Sequence, residues 1–168
     1  MIIHRVQSEN VLKYATLDLN DLPAQGLIGL SGANESGKST IGETLCFALF
    51  GRTYAYTEDE IVNVIRWGEP SCAVSVEFSI NGHRYAVSRF LDDKGNQGVR
   101  LNDHREALLA RGVEPVRDAL EALLDFGFDE FVESFYLAQR EITTPHPHST
   151  AVKKMAGIAA LEQVATDA

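Results

Sequence analysis

Cysteine is scarce in this sequence: two in 168 residues, Cys46 and Cys72, with neither a C-x-x-C spacing nor any other metal-binding pattern. That excludes a disulfide framework and leaves the expectation of two reduced thiols in a cytosolic protein. No apolar run approaches the roughly 18 residues that a membrane-spanning helix needs. The opening Met1-Ile2-Ile3-His4-Arg5 has no basic region followed by an apolar block, so it does not read as a signal peptide. Basic charge is also in short supply, 15 Lys and Arg against 24 Asp and Glu for a net charge of −9. That balance argues against a freestanding nucleic-acid binder held by a broad basic surface. With five prolines and 45% apolar residues, the composition is that of an ordinary globular domain or one large lobe of a split one.

The charge is unevenly spread. Residues 84–117 carry seven basic side chains against five acidic ones, and residues 118–133 carry six acids and no base. Runs of this kind read first as solvated faces of opposite sign, with a local DNA contact as the alternative.

Period and turn chemistry give the organisation. Residues 2–8 and 13–19 alternate like two short strands. After the turn cluster Asn20-Asp21-Leu22-Pro23, the run Gly26-Leu27-Ile28-Gly29-Leu30 has the look of a buried strand. Ser39 to Phe50 follows at helical spacing through Ile41, Leu45, Ala48 and Leu49, and Gly51 stands where a helix C-terminus favours it. Val74, Val76, Phe78 and Ile80 alternate strictly, Asn81-Gly82 is a strong hairpin signal, and Tyr85, Val87 and Arg89-Phe90-Leu91 run back. A turn over Asp92 to Gly98 leads to a short strand at Val99 to Leu101. Residues 103–110 and 114–124 are helical by period, the second with Val116, Leu120 and Leu123-Leu124 on one face. Phe126, Phe128, Phe131 and Phe135 form a further helix-like stretch ending near Gln139. Thr144-Pro145-His146-Pro147-His148 breaks the pattern, and a helix resumes over Ala151 to Ala168 with no stop signal. That suggests a cut inside a longer element.

The informative stretch is Gly32-Ala33-Asn34-Glu35-Ser36-Gly37-Lys38-Ser39, which satisfies G-x-x-x-x-G-K-[ST] at every position, with Thr40 behind it. A chance match in this length is expected roughly 0.005 times from residue frequencies, and the motif falls between a strand-like run and a helix, as it must. The residue types follow from the chemistry. Gly32 and Gly37 let successive N–H groups converge on phosphate oxygens where a Cβ would obstruct. The opening helix adds the partial positive charge of its N-terminus. Lys38 supplies a mobile positive charge to the β- and γ-phosphates, and the Ser39 hydroxyl is a Mg²⁺ ligand. The expected ligands are ATP and Mg²⁺.

At Asn34 and Ser39-Thr40 the loop resembles those of the ABC-type ATPases, particularly the SMC-like SbcC family of DNA double-strand-break repair. Four further passages are similar to that family, in the family's order. They are the opening strand ending in Glu9-Asn10; Ile65-Arg66-Trp67-Gly68 with the hairpin to Arg89; Phe135-Tyr136-Leu137-Ala138-Gln139, which resembles the Q-loop; and Val152 to Ile158, which resembles the start of an outgoing coiled coil. The resemblance implies an α/β fold of the P-loop ABC/SMC head type, with a mixed sheet that includes an antiparallel hairpin. It divides the chain into an N-terminal lobe of the head, 1–143, and a linker with the first turns of coiled coil, 144–168. It makes Gln139 a Mg²⁺ ligand and γ-phosphate sensor, catalytic together with Lys38. Lys13 is the nearest counterpart of the polar residues that reach the nucleotide after the first strand. Glu35 stands where glycine is common, and is expected to point outward at no cost.

The resemblance also dictates what is missing. An aspartate-ended strand, a glutamate base, an L-S-G-G signature and a switch histidine are absent, and in this family they lie in a C-terminal lobe beyond the coiled coil. Hydrolysis is therefore expected to need that lobe and a second head in a homodimer. The implied partners are an SbcD-like nuclease and DNA, in the cytoplasm at the nucleoid, with no membrane. The alternative is an SMC-type head that organises chromosomes without a nuclease. A zinc hook or a hinge at the coiled-coil tip discriminates the two, and a transporter ATPase is disfavoured by the exit helix. Arg66 is a candidate DNA or phosphate contact, or else a surface-loop arginine. Arg89 is expected to brace the hairpin and Trp67 to pack in the core or an interface. Tyr14 reads as a strand tyrosine, with adenine stacking as the alternative, and His146 and His148 read as linker residues.

Overall fold

A computed structural model describes residues 1–134 of the chain. Residues 1–125 form one compact unit and Phe126 begins another. The first unit is a six-stranded sheet in the order β2-β1-β3-β4-β5-β6. The strands are β1 (Ile2–Val11), β2 (Tyr14–Leu19), β3 (Ser71–Ile80), β4 (His83–Asp92), β5 (Gln97–Asp103) and β6 (Leu108–Arg111). Its helices are α1 (Lys38–Phe50) and α2 (Val113–Leu124), with a 3₁₀ turn at Glu58–Val64 that the sequence did not signal.

The expected hairpin is the centre of the sheet. Asn81 and Gly82 both take positive φ, 51° and 81°, the two-residue turn whose twist matches the flanking strands. From there Ile80 pairs with His83, and the register runs without a break to Ser71 opposite Asp92. Alternation then decides the faces. Cys72, Val74, Val76 and Phe78 are buried on the side covered by α1, which packs on β3, β1 and β4. Burying a side chain of that size stabilises by about 1.5–3 kcal/mol relative to leaving it in water.

Three expectations need correction. Residues 103–110 do not form a helix. The Asp103 carboxylate accepts the backbone N–H groups of Arg105 and Ala107 at 2.8 and 2.9 Å, Glu106 takes φ 61°, and the chain turns back as β6. A local side-chain acceptor thus outcompetes the helical ladder. Second, Gly26–Leu30 is not a strand, and its side chains are not buried: Leu27 is 99% exposed. Every pairing among the described strands is antiparallel, the Asn81-Gly82 hairpin included, within the expected α/β fold. Third, α1 is buried on nearly all sides, through Thr40, Glu43, Thr44, Cys46, Phe47, Ala48 and Leu49 rather than on one stripe. Its C-terminus is as expected: Gly51 is left-handed at φ 70°, and its N–H returns to the Phe47 carbonyl at 2.9 Å.

α2 behaves as its period predicts, burying Val116, Leu120 and Leu124 against β5 and β6. In the second unit, α3 (Phe128–Ser134) opens with the Gly127 N–H donating to the Glu130 carboxylate at 2.9 Å, and Phe126 stacks on Phe131. Phe135, Gln139, the Thr144–His148 breaker and the 151–168 helix lie outside the described residues.

Candidate functional site

The phosphate loop opens α1 in the manner its sequence requires. Gly37 is the residue before the helix, at φ 97° and ψ 10°, and its carbonyl accepts the Thr40 N–H at 2.9 Å. Only glycine takes that conformation freely, and there is a second reason for it here. A Cβ at Gly37 would stand 3.2 Å from the Tyr14 ring. At Gly32 a Cβ would meet the Ser36 hydroxyl at 2.7 Å, so the other motif glycine is needed for close approach within the loop itself.

Lys38 extends back over the loop. Its ammonium donates to the Gly32 and Ala33 carbonyls, both at 2.7 Å, placing a positive charge inside the curl of backbone from Gly32 to Gly37. Ser39 is exposed at the first turn of α1 and Thr40 is buried behind it. Asn34, Glu35 and Ser36 are exposed on the loop. Glu35 does point outward, yet it is not without cost. Its φ of 64° lies in the left-handed region, where a Cβ costs about 1–2 kcal/mol and which explains the preference for glycine there.

The turn between β1 and β2 braces the loop from the side. The Lys13 ammonium donates to the Glu35 carbonyl at 2.8 Å, and the Tyr14 hydroxyl donates to the Gly37 carbonyl at 3.2 Å. Lys13 thus sits at the loop. Tyr14 is a packing and hydrogen-bonding partner of Gly37, a role that the alternation pattern could not reveal. A third segment joins the same turn: the Leu12 N–H donates to Val64 and the Arg66 N–H to Asn10, both at 2.8 Å. Arg66 is on that segment with its guanidinium 3.5 Å from the Glu69 carboxylate.

Trp67 does not pack in the core. The Glu69 N–H bonds the Arg66 carbonyl at 3.0 Å and Gly68 takes φ 89°, a type II turn that puts Trp67 at its tip, 98% exposed. Arg89 points inward beneath the end of α1, 2% exposed, and among the described residues its Nε and Nη1 have no hydrogen-bond partner. Behind the loop, the buried Glu43 carboxylate accepts the Tyr54 N–H at 2.8 Å and holds the segment that leaves α1, a contact for which the sequence carries no signal. Gln139 lies outside the described residues.

Oxygen donors and a positive charge converge here, the chemistry that a Mg²⁺–nucleotide complex requires. The Ser39 hydroxyl could serve as a hard ligand, and the backbone N–H groups and Lys38 are of the kind that complements phosphate. A separate groove of about 860 Å³ over the outer face of the sheet, lined by Gln7, Ser75, Ser88, Phe90, Arg100 and Arg111 among others, contains no phosphate-loop residue. It lacks a phosphate cradle, so the candidate site is taken from the motif and its geometry.

Comparison with known proteins bears on the same residues. The family description for the AAA domain matches residues 5–144. The chain is 31% identical to the DNA double-strand break repair Rad50 ATPase of Methanocaldococcus jannaschii over 83% of its length. It is 29% identical to the SbcC component of the nuclease SbcCD of Pseudomonas aeruginosa over 73% of its length. These matches cover 14% and 12% of the respective relatives, so the chain spans only about a seventh of their length. Among solved structures, one described as "Structural biochemistry of ATP-driven dimerization and DNA stimulated activation of SMC ATPases" superposes with a TM-score of 0.58 at 21% identity, over 74% of this chain and 80% of that one. The recombination mediator RecF bound to ATP gives 0.55 at 16% identity, over 65% of this chain and 28% of that one. Both share the fold.

Proposed function

The chain belongs to the AAA domain family, and from that premise we propose that it is the ATP-binding N-terminal half of an SMC-like ATPase head of the SbcC and Rad50 type, acting in DNA double-strand-break repair. One observation carries the reading. A complete phosphate loop opens a buried helix, while the apolar segment that leads into it, Leu27-Ile28-Gly29-Leu30, has no strand partner among the described residues. A phosphate site is present, but one wall of its sheet is not closed.

In this reading Lys38 holds the β- and γ-phosphates, Gly32 to Gly37 wrap them with backbone N–H groups, and Ser39 with Thr40 opens the helix beneath. Ser39 and Gln139 would hold Mg²⁺, which would supply charge neutralisation at the phosphates. Lys13 changes partner from the Glu35 carbonyl to the nucleotide, and Arg66 offers its guanidinium to phosphate or DNA. Residues 1–143 are the lobe and 144–168 the linker and first coiled-coil turns. A C-terminal lobe of the same protein supplies the strand that pairs with Gly26–Leu30 and the base for hydrolysis. A second head closes the site, and an SbcD-like nuclease and DNA join the full assembly at the nucleoid. No described helix is long and apolar enough to cross a membrane.

Titration calorimetry with MgATP tests the binding half of the reading. Lys38→Ala removes a charge-assisted contact worth about 1.5–3 kcal/mol, so affinity should fall about tenfold or more. Equal affinity of the two proteins would sink the assignment. Steady-state phosphate release tests the other half. The chain alone lacks a positioned base and an opposing wall, so turnover should be negligible and should appear only when the C-terminal lobe is added. Gln139→Ala should then lower turnover while binding persists. Robust Lys38-dependent hydrolysis by the chain alone would mean that it is a whole enzyme.

A further inference from the structure

Arg89 is a buried cation with no carboxylate beside it among the described residues. It lies on the inner face of β4, opposite Val74 of β3 and Val99 of β5, and both neighbours are buried and apolar. Its Nε and Nη1 have no hydrogen-bond partner among the described residues. What it touches is the end of α1. Its Cζ stands 5.8 Å from the centre of the Phe47 ring, and a Cβ on Gly51 would come within 2.8 Å of Nη1 and 3.1 Å of Cζ. Burial alone pushes its pKa down, to about 10, so the guanidinium is still charged at neutral pH.

Stability does not account for this residue. A buried charge without an ionic partner is usually less favourable than an apolar side chain of the same volume. The contacts that single it out are with the C-terminal end of α1, at Phe47 and Gly51. The carbonyls there carry the negative end of the helix dipole, and the Phe47 face attracts a cation. Gly51 is glycine for two reasons: it caps the helix at φ 70°, and any side chain would displace the guanidinium. The other end of the same 13-residue helix is the phosphate loop. A helix of that length is a stiff rod of about 20 Å, so a change of seat at one end moves the other.

We propose that Arg89 is a positioning residue for nucleotide binding, pinning the C-terminal end of α1 to β4 and thereby fixing where the helix presents Gly37, Lys38 and Ser39. The inference rests on the phosphate-site reading above. The pin meets Phe47 and Gly51 from the sheet side, while Lys13 and Tyr14 hold the loop from the β1–β2 turn. α1 is thus contacted at both ends, and loss of the pin removes a specific contact at the end opposite the loop.

The test is MgATP calorimetry on the 168-residue chain, paired with denaturant unfolding and amide NMR. Arg89→Met should weaken MgATP roughly 2- to 30-fold, the range for residues that modulate a site without touching its ligand. Its unfolding midpoint should be unchanged or higher, and the amide resonances of Gly37 and Lys38 should shift. Arg89→Lys, which keeps the charge, should recover most of the affinity. If Arg89→Met does not fold, Phe47→Leu decides: it removes the ring but not the bulk, and should weaken MgATP while the fold persists. Wild-type affinity in Arg89→Met, or affinity lost only in step with stability and not recovered by Arg89→Lys, overturns the proposal. Unchanged affinity in the Lys38→Ala control identifies a failure of the phosphate-site reading instead.

Discussion

The sheet and the approach to the phosphate loop are built from similar residues and meet opposite fates. In β3 the apolar positions Cys72, Val74, Val76 and Phe78 are buried and both edges of the strand are paired, with β1 and β4. In Leu27-Ile28-Gly29-Leu30 the apolar density is as high, yet all three large side chains are exposed and no described strand pairs with the backbone. The difference is one of available edges. β1 is already flanked by β2 and β3, and the open edges of the sheet are β2 and β6 at its two ends. A segment leading to the start of α1 finds no central place among these strands. Apolar pattern is therefore a necessary condition for a strand, and a free neighbour is the sufficient one.

The largest expected effect tests the closed half of this comparison. Phe78 is fully buried and its ring stacks on Tyr85 with centroids 5.7 Å apart. Phe78→Ala should cost about 3–5 kcal/mol, from lost transfer energy and the cavity left behind. Urea unfolding measures it, and a loss below about 1 kcal/mol would mean that this core is far looser than its burial implies.

Next comes an alkaline effect in the same core. Burial pushes the Cys46 and Cys72 thiols up to about 12 from 9.0. A raised pKa means that their contribution is intact below about pH 9 and is lost as pH rises towards 12, at about 1.4 kcal/mol per unit for each thiol. Arg89 acts in the opposite sense. Its folded value, about 10, lies below the ordinary guanidinium range, so the cost of burying its charge is full below about pH 10 and fades above it. Between about pH 9 and 10 the thiols alone should therefore lower stability, by about 2–3 kcal/mol together. The slope of stability against pH should halve in Cys46→Ala. A slope that does not change would place that thiol in contact with water.

How much of this was legible depends on the range of the interaction. The Asn81-Gly82 hairpin, the Gly51 cap and the phosphate loop were readable because their causes lie within a few residues: a two-residue turn, a left-handed cap, a fixed spacing around Lys38. Residues 103–110 misled because the Asp103 carboxylate bonds locally and its turn mimics helical period over a short window. Trp67 and Arg89 were legible only in part. Of the two places expected for Trp67, core or interface, a type II turn lifts it out of this core, and register carries Arg89 of the hairpin inward beneath α1. The Tyr14 contact with Gly37 and the burial of Glu43 depend on segments 23 and 11 residues away, which composition and period do not encode.

The smallest expected effect sharpens the open half of the comparison. Leu27 is almost fully exposed, so Leu27→Ser removes nothing buried in this chain. Surface changes of that kind stay within about 0.5 kcal/mol. The amides of residues 27–30 should likewise exchange with solvent without protection, in contrast to those of β3, because strand pairing is what protects an amide. If the apolar run is a strand awaiting its neighbour, the same substitution should behave differently once the C-terminal lobe is supplied. Leu27 would then be in the core of a paired sheet, and Leu27→Ser should weaken the association of the two lobes measurably, while Phe78→Ala acts on the stability of this chain alone. Two outcomes would break the comparison. A loss above about 1 kcal/mol in the chain by itself would mean that the segment is already packed. No effect on lobe association would mean that its apolar character serves something other than pairing. The contrast between a silent substitution in one context and a costly one in the other is what separates half of a sheet from an ordinary surface loop.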